Sequence, residues 1–157
     1  MQSHRRSGLR RMDDAVIREA VSGDIDRIME LEHGSIIHPW AREEFERLIS
    51  DQNKLCLVAL SGNKIVCYVG AETVLDECNI GNIVTDMAYR GEGFASILMN
   101  ELLMLLRKRG IVKVFLEVES GNVPAIALYG KAGFTEYGKR RGYYGDGKDA
   151  VLMSLEL

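Results

Sequence analysis

Arg90-Gly91-Glu92-Gly93-Phe94-Ala95 is the stretch on which the fold turns. Before it lies an apolar run, residues 80–87, that reads as a strand. After it, Ile97-Leu98-Met99 to Leu105-Leu106 repeats at helical spacing. A glycine-rich turn between a strand and a helix leaves several backbone N–H groups unpaired at the helix N-terminus. Those donors and the helix dipole both favour an anion, so the turn is a candidate site for phosphate or pyrophosphate. On spacing alone it also fits a purely structural helix entry.

Two common phosphate motifs do not fit. Gly91-Glu92-Gly93 is a fragment of GxGxxG, but Ser96 replaces the third glycine and the turn lies mid-chain, after a hairpin. The residue about 20 positions on, where a ribose-binding acid belongs, is Ile111. GxxxxGK[ST] does not occur.

Working outward, Val16-Ile17-Arg18 starts a short strand. Ser22 or Asp24 can cap a helix carrying Ile25, Ile28, Met29 and Leu31. His38-Pro39-Trp40 interrupts it, and a second helix presents Phe45, Leu48 and Ile49 on one face. Residues 55–60 and 65–74 are strand-like around a Ser61-Gly62-Asn63 turn, and an Asp76-Glu77 turn leads into 80–87. The long helix, about 93–109, stops at Gly110 behind Arg107, Lys108 and Arg109. A strand over 112–118 follows. Asn122 can then cap a helix ending at Ala132-Gly133, and strands at 134–138 and 150–155 close the chain around a Gly- and Tyr-rich loop.

The predicted order is β-α-α-β-β-β-α-β-α-β-β. Strands 80–87 and 112–118 flank one helix, which makes them parallel with a right-handed crossover. The hairpins make the rest antiparallel. The fold class is therefore α/β, with a mixed sheet flanked by helices rather than a dinucleotide fold.

At 157 residues the chain is expected to be one domain over 13–157, behind a basic extension, 1–12, that reads as disordered. That extension holds Arg5, Arg6, Arg10 and Arg11 and no acid. The whole chain carries −3, so the remainder carries −7, a poor charge for nucleic-acid binding except through the tail. No apolar run approaches the roughly 18 residues of a membrane helix, and the basic start lacks an apolar continuation, so no membrane partner and a cytoplasmic location are expected. Cys56, Cys67 and Cys78 lie in or beside apolar runs without CxxC spacing, and read as buried free thiols. His4, His33 and His38 lack metal-ligand spacing, so no metal is expected.

Arg90-x-x-Gly93-x-Ala95 after a strand resembles the Q/R-x-x-G-x-G/A motif of the GCN5-related N-acetyltransferases, the GNAT superfamily. Leu116-Glu117-Val118, then Asn122-x-x-Ala125-Ile126-x-Leu128-Tyr129-x-x-x-Gly133-Phe134, looks like the acetyl-CoA and catalytic segment of that superfamily. His38-Pro39-Trp40, Asn82-Ile83, Arg140-Arg141-x-Tyr143-Tyr144 and Asp149-Ala150 resemble its RimI branch, whose members acetylate protein N-termini, typically the N-terminal alanine of a small-subunit ribosomal protein. The resemblance spans about 14–157. It implies a mostly antiparallel twisted sheet with two splayed parallel central strands, and acetyl-CoA as cosubstrate. The acceptor it implies is a peptide or protein N-terminus, a ribosomal protein among the candidates.

The resemblance also assigns roles. Arg90, Gly91, Glu92, Gly93, Phe94 and Ala95 would hold the CoA pyrophosphate. Glu92, an acid beside it, is expected to point outward. Main-chain groups of Ile83, Val84 and Thr85 would hold the pantetheine arm like an added strand. Glu117 is the candidate general base; as a residue it also reads as an exposed strand glutamate beside Glu119. Tyr129 is the candidate acid for the departing thiolate, since a phenol with pKa near 10 stays protonated at pH 7; it reads equally as a core aromatic. Asn122 could touch the cofactor or simply cap its helix. Pro39, Trp40, Tyr143 and Tyr144 would wall the acceptor groove, although Trp40 also suits a staple between the early helices. No Cys or Ser is placed as an acyl carrier, so direct transfer in a ternary complex is expected. Two rivals remain: a GNAT acting on lysine or a small amine, and a non-catalytic acetyl-CoA-binding module serving a partner protein.

Overall fold

In a computed structural model, residues 15–34 and 40–157 are described; the arginine-rich start, His38 and Pro39 lie outside them. The chain runs β1 (Val16–Glu19), α1 (Ile25–His33), α2 (Arg42–Ser50), β2 (Lys54–Ser61), β3 (Lys64–Val74), β4 (Glu77–Thr85), α3 (Phe94–Lys108), β5 (Lys113–Glu119), α4 (Val123–Ala132), β6 (Thr135–Arg140) and β7 (Ala150–Glu156). This is the order expected from periodicity. The strands form one seven-stranded sheet, β1-β2-β3-β4-β5-β7-β6, antiparallel except for the β4–β5 pair.

Helices cover both faces. Phe94, Leu98, Met99, Leu102 and Leu106 recur along one stripe of α3 and bury against Leu57, Ala59, Val69 and Ile80. On the other face Ile28 and Leu31 of α1 and Phe45 and Leu48 of α2 bury against Cys56, Val58, Tyr68 and Val84. Adjacent residues of β2 and β3 thus enter opposite cores, which explains why these strands read as unbroken apolar runs rather than alternating ones. All three cysteines are free and buried.

Some boundaries move, each for a local reason. The β3–β4 turn is Leu75-Asp76, since Glu77 already pairs with Val74. Leu75 sits at φ 56 there. β4 ends at Thr85 rather than 87, because the Asp86 carboxylate accepts the Ala88 N–H at 2.9 Å and closes a 3₁₀ turn over Met87–Tyr89. Neither Ser22 nor Asp24 caps α1 through its side chain. The Asp24 carboxylate instead accepts the Val21 N–H at 2.8 Å and both Arg18 nitrogens at 2.6 and 3.0 Å, closing a 3₁₀ turn over Ser22–Asp24. Asn122 does cap its helix, its Oδ1 accepting the Ala125 N–H at 3.3 Å.

Candidate active site

The parallel pair holds only from Glu77↔Lys113 to Ile80↔Leu116. Beyond it, Asn82 to Thr85 stay on β3 and Glu117 to Glu119 stay on β7, but the two central strands no longer pair. A wedge opens in the middle of the sheet. Its apex carries an irregularity: Gly70 pairs with Asn82 and Ala71 with Ile80, so Gly81 is an extra residue, a bulge where the separation begins. Ile83, Val84 and Thr85 form the β4 wall of the wedge.

At the wide end, Arg90 to Ala95 lead into α3. Gly91 and Gly93 take φ 78 and 91, and Gly93 is the N-cap. Only glycine adopts these angles without strain, and the resulting turn leaves the first N–H groups of α3 without helical acceptors. Phe94 is buried in the core and anchors the turn. Glu92 departs from expectation. Its Oε2 is buried rather than turned outward.

Glu117 and Tyr129 lie on opposite faces of the sheet. Leu116 and Val118 bury on the α3 side, so Glu117 points to the α1–α2 side, with its side chain 33% exposed. Arg140 of β6 lies 3.5 Å from it. Tyr129 belongs to the α3-side core and is only 6% exposed. Burial pushes its hydroxyl up to about 12, with smaller contributions from Tyr144 and Cys67. Its ring is edge-on to Phe134 at 6.0 Å, so it packs as a core aromatic, with a hydroxyl that stays protonated.

Tyr143 and Tyr144 lie in the β6–β7 loop, edge-to-face at 5.0 Å, with the Arg140 guanidinium 5.6 Å over the Tyr143 ring. Burial raises the Tyr144 hydroxyl, and the Glu117 carboxylate raises it further. Trp40 stands on the far side of the apex, and a Cβ on Gly81 would lie 3.3 Å from its indole. Trp40, Leu48, Gly70, Asn79, Ile80 and Gly81 line a cavity of about 300 Å³ on the Glu117 face. Trp40 also packs 5.6 Å from Phe45 of α2, so its two readings, staple and wall, coexist. Pro39 lies outside the described residues.

Sequence reading missed three contributors. Gly81 gave no signal beyond being a glycine in a strand. Arg140 stood in a quoted motif without a role. Glu32, fully buried, carried a signal: an acid four residues after Ile28 on the apolar stripe of α1.

Residues 25–134 match the family model described as the acetyltransferase (GNAT) family. This chain belongs to the GNAT family of acetyltransferases. Haemophilus ducreyi has a similar protein, a [ribosomal protein bS18]-alanine N-acetyltransferase, 31% identical over 148 residues, covering 90% of this chain and all of that one. Among solved structures, the ribosomal-protein-S18-alanine N-acetyltransferase from Escherichia coli superposes with a TM-score of 0.84 at 29% identity, covering 90% of this chain and 93% of that one. Arabidopsis thaliana NAA60, solved in complex with acetyl-CoA, shares the fold at a TM-score of 0.81 and 18% identity, over 91% and 98% of the two chains. The chain is accordingly an acetyltransferase enzyme. No helix among the described residues is long and apolar enough to cross a membrane.

Proposed function

We propose that this acetyltransferase moves the acetyl group of acetyl-CoA to the N-terminal α-amine of a small-subunit ribosomal protein, in the cytoplasm and by direct transfer. The observation that supports the reading is the parting of β4 and β5 after Ile80↔Leu116, with Glu117 the next residue of β5 and the cavity beside Trp40 on the Glu117 face. The bS18-alanine acetyltransferase of H. ducreyi, matched over its whole length, supports the choice of acceptor.

The residues suit the cosubstrate. The glycine turn offers N–H donors and a helix N-terminus to a pyrophosphate, and the β4 wall from Ile83 to Thr85 offers main-chain groups to an extended amide-bearing arm. Asn122 has its Oδ1 engaged as a cap, which leaves its amide N–H groups for the cosubstrate. Bound there, acetyl-CoA supplies an activated acetyl as a thioester.

The chain's own residues then handle protons. Glu117 takes the proton that the acceptor amine sheds as its nitrogen bonds to the acetyl carbon. Tyr129 gives a proton to the sulfur as the C–S bond breaks. The load on the base is light for an N-terminus. Its α-amine, with pKa about 7.7–8.0, costs roughly 1 kcal/mol to deprotonate at pH 7, against roughly 4.6 for lysine. Trp40, Tyr143 and Tyr144 wall the acceptor.

The test is a peptide carrying the first residues of bS18 from the same genome, beside a scrambled peptide with the same first residue. Transfer to the first and weak transfer to the second supports the ribosomal acceptor. Equal transfer to both rejects it and keeps only α-amine acetylation.

A further inference from the structure

Glu32 has no part in that chemistry, yet it is the most deeply buried acid among the described residues. It sits in the last turn of α1, on the stripe occupied by Ile25, Ile28 and Leu31. An apolar residue there would pack without the desolvation cost of a carboxylate. Its two oxygens have specific partners. Oε1 accepts the main-chain N–H of Trp40 at 3.1 Å, and Oε2 accepts the hydroxyl of Tyr68 on β3. Burial raises the carboxyl above its ordinary value, while the Trp40 N–H draws it back.

These partners close a ring of contacts. Tyr68 meets Phe45 edge-on at 6.0 Å, Phe45 meets Trp40 at 5.6 Å, and Trp40 returns through its main chain to Glu32. The indole that this ring holds lies against Gly81, the bulge residue beside the last β4–β5 pair, and Glu117 is the next residue of β5 after that pair. We propose that Glu32 is a positioning residue for acceptor recognition: its buried carboxylate fixes the main chain of Trp40, and so sets the width of the acceptor cavity on the Glu117 face of the sheet. The inference rests on the reading that the acceptor amine enters at Glu117.

Trp40 is the single tryptophan of the chain, so its emission reports the wall directly. Three variants are compared with an alanine-starting peptide as acceptor: Glu32→Ala, Glu32→Gln and Tyr68→Phe. Glu32→Ala should raise the acceptor KM about tenfold, as expected for losing a hydrogen bond to a charged group, with kcat and the acetyl-CoA KM within about twofold of wild type. It should also shift Trp40 emission to longer wavelength. Glu32→Gln keeps an oxygen for the Trp40 N–H and should recover most of the acceptor KM. Tyr68→Phe, which removes one oxygen atom and keeps the fold, should raise it about threefold. If Glu32→Ala does not fold, Tyr68→Phe decides.

A lowered melting temperature with unchanged acceptor KM and unchanged emission overturns the proposal, as does an equal loss in every kinetic constant. If the wild-type enzyme acetylates no α-amine, the functional reading fails instead. Trp40 emission without acceptor then still decides whether Glu32 holds the wall, and an unshifted spectrum in the variants overturns the proposal.

Discussion

Tyr129→Phe separates chemistry from packing at a residue that the sequence could assign to either. The substitution removes one oxygen and keeps the ring, so the edge contact with Phe134 at 6.0 Å survives and no cavity larger than a hydroxyl opens. Stability should change by less than about 1 kcal/mol, which moves the melting temperature by no more than about 2–4 °C. The kinetic cost should be far larger. A positioned acid or base is worth about 10²–10⁴ in rate, or roughly 3–5 kcal/mol of barrier. The hydroxyl is pushed up to about 12, so it is fully protonated at pH 7 and remains the donor throughout the neutral range. The expected result is a kcat lowered at least about 100-fold at pH 7.5, with both KM values within about threefold of wild type. The assay is initial-rate acetyl transfer to an alanine-starting peptide, with melting curves alongside. A kcat within about threefold of wild type would show that Tyr129 is only a core aromatic and would refute the acid role.

Other outcomes follow from the same geometry. Gly93→Ala forces a Cβ onto a residue at φ 91, a strain of roughly 1–2 kcal/mol, and should weaken acetyl-CoA binding, read by calorimetry, more than it changes kcat. Gly81→Ala places a Cβ 3.3 Å from the Trp40 indole, so the ring must give way and the acceptor KM should rise while the acetyl-CoA KM holds. Leu75→Asn relieves a positive φ at a fully solvated turn and should raise the melting temperature by a few degrees, for a gain of up to about 1 kcal/mol. Burial pushes the thiols of Cys56, Cys67 and Cys78 up to about 12, against about 9 for an exposed thiol. The unfolded chain therefore loses these protons first, so this contribution to stability is intact below about pH 9 and is lost as pH rises through about 12. Denaturant midpoints at a series of alkaline pH values check the sign.

Much of the architecture was legible because it is local. The apolar periodicities of α3 and β5, Asn122 as a cap, and glycines ending α3 and α4 each act within one turn or strand. What stayed hidden depends on partners distant in sequence. Nothing near Ile80 or Leu116 marks them as the last pair before the strands part, since that depends on two strands separated by a helix. Gly81 becomes a bulge only against Gly70. Asp24 looks like a cap for α1 until Arg18 draws its carboxylate into a preceding turn. Glu92 was read as turned outward from its charge alone, but its Oε2 is buried. Glu32 was visible as an acid on an apolar stripe, but its meaning needed Tyr68 and Trp40 beside it.

The central claim is that the wedge serves an N-terminal α-amine. The most direct measurement is a competition within one molecule: a peptide with a free alanine at its start and one internal lysine, incubated with enzyme and acetyl-CoA, with the acetyl located by fragment mass spectrometry. A second peptide has its α-amine blocked. The account predicts acetylation at the first residue only, and no transfer to the blocked peptide. Acetyl on the lysine of both peptides would contradict it.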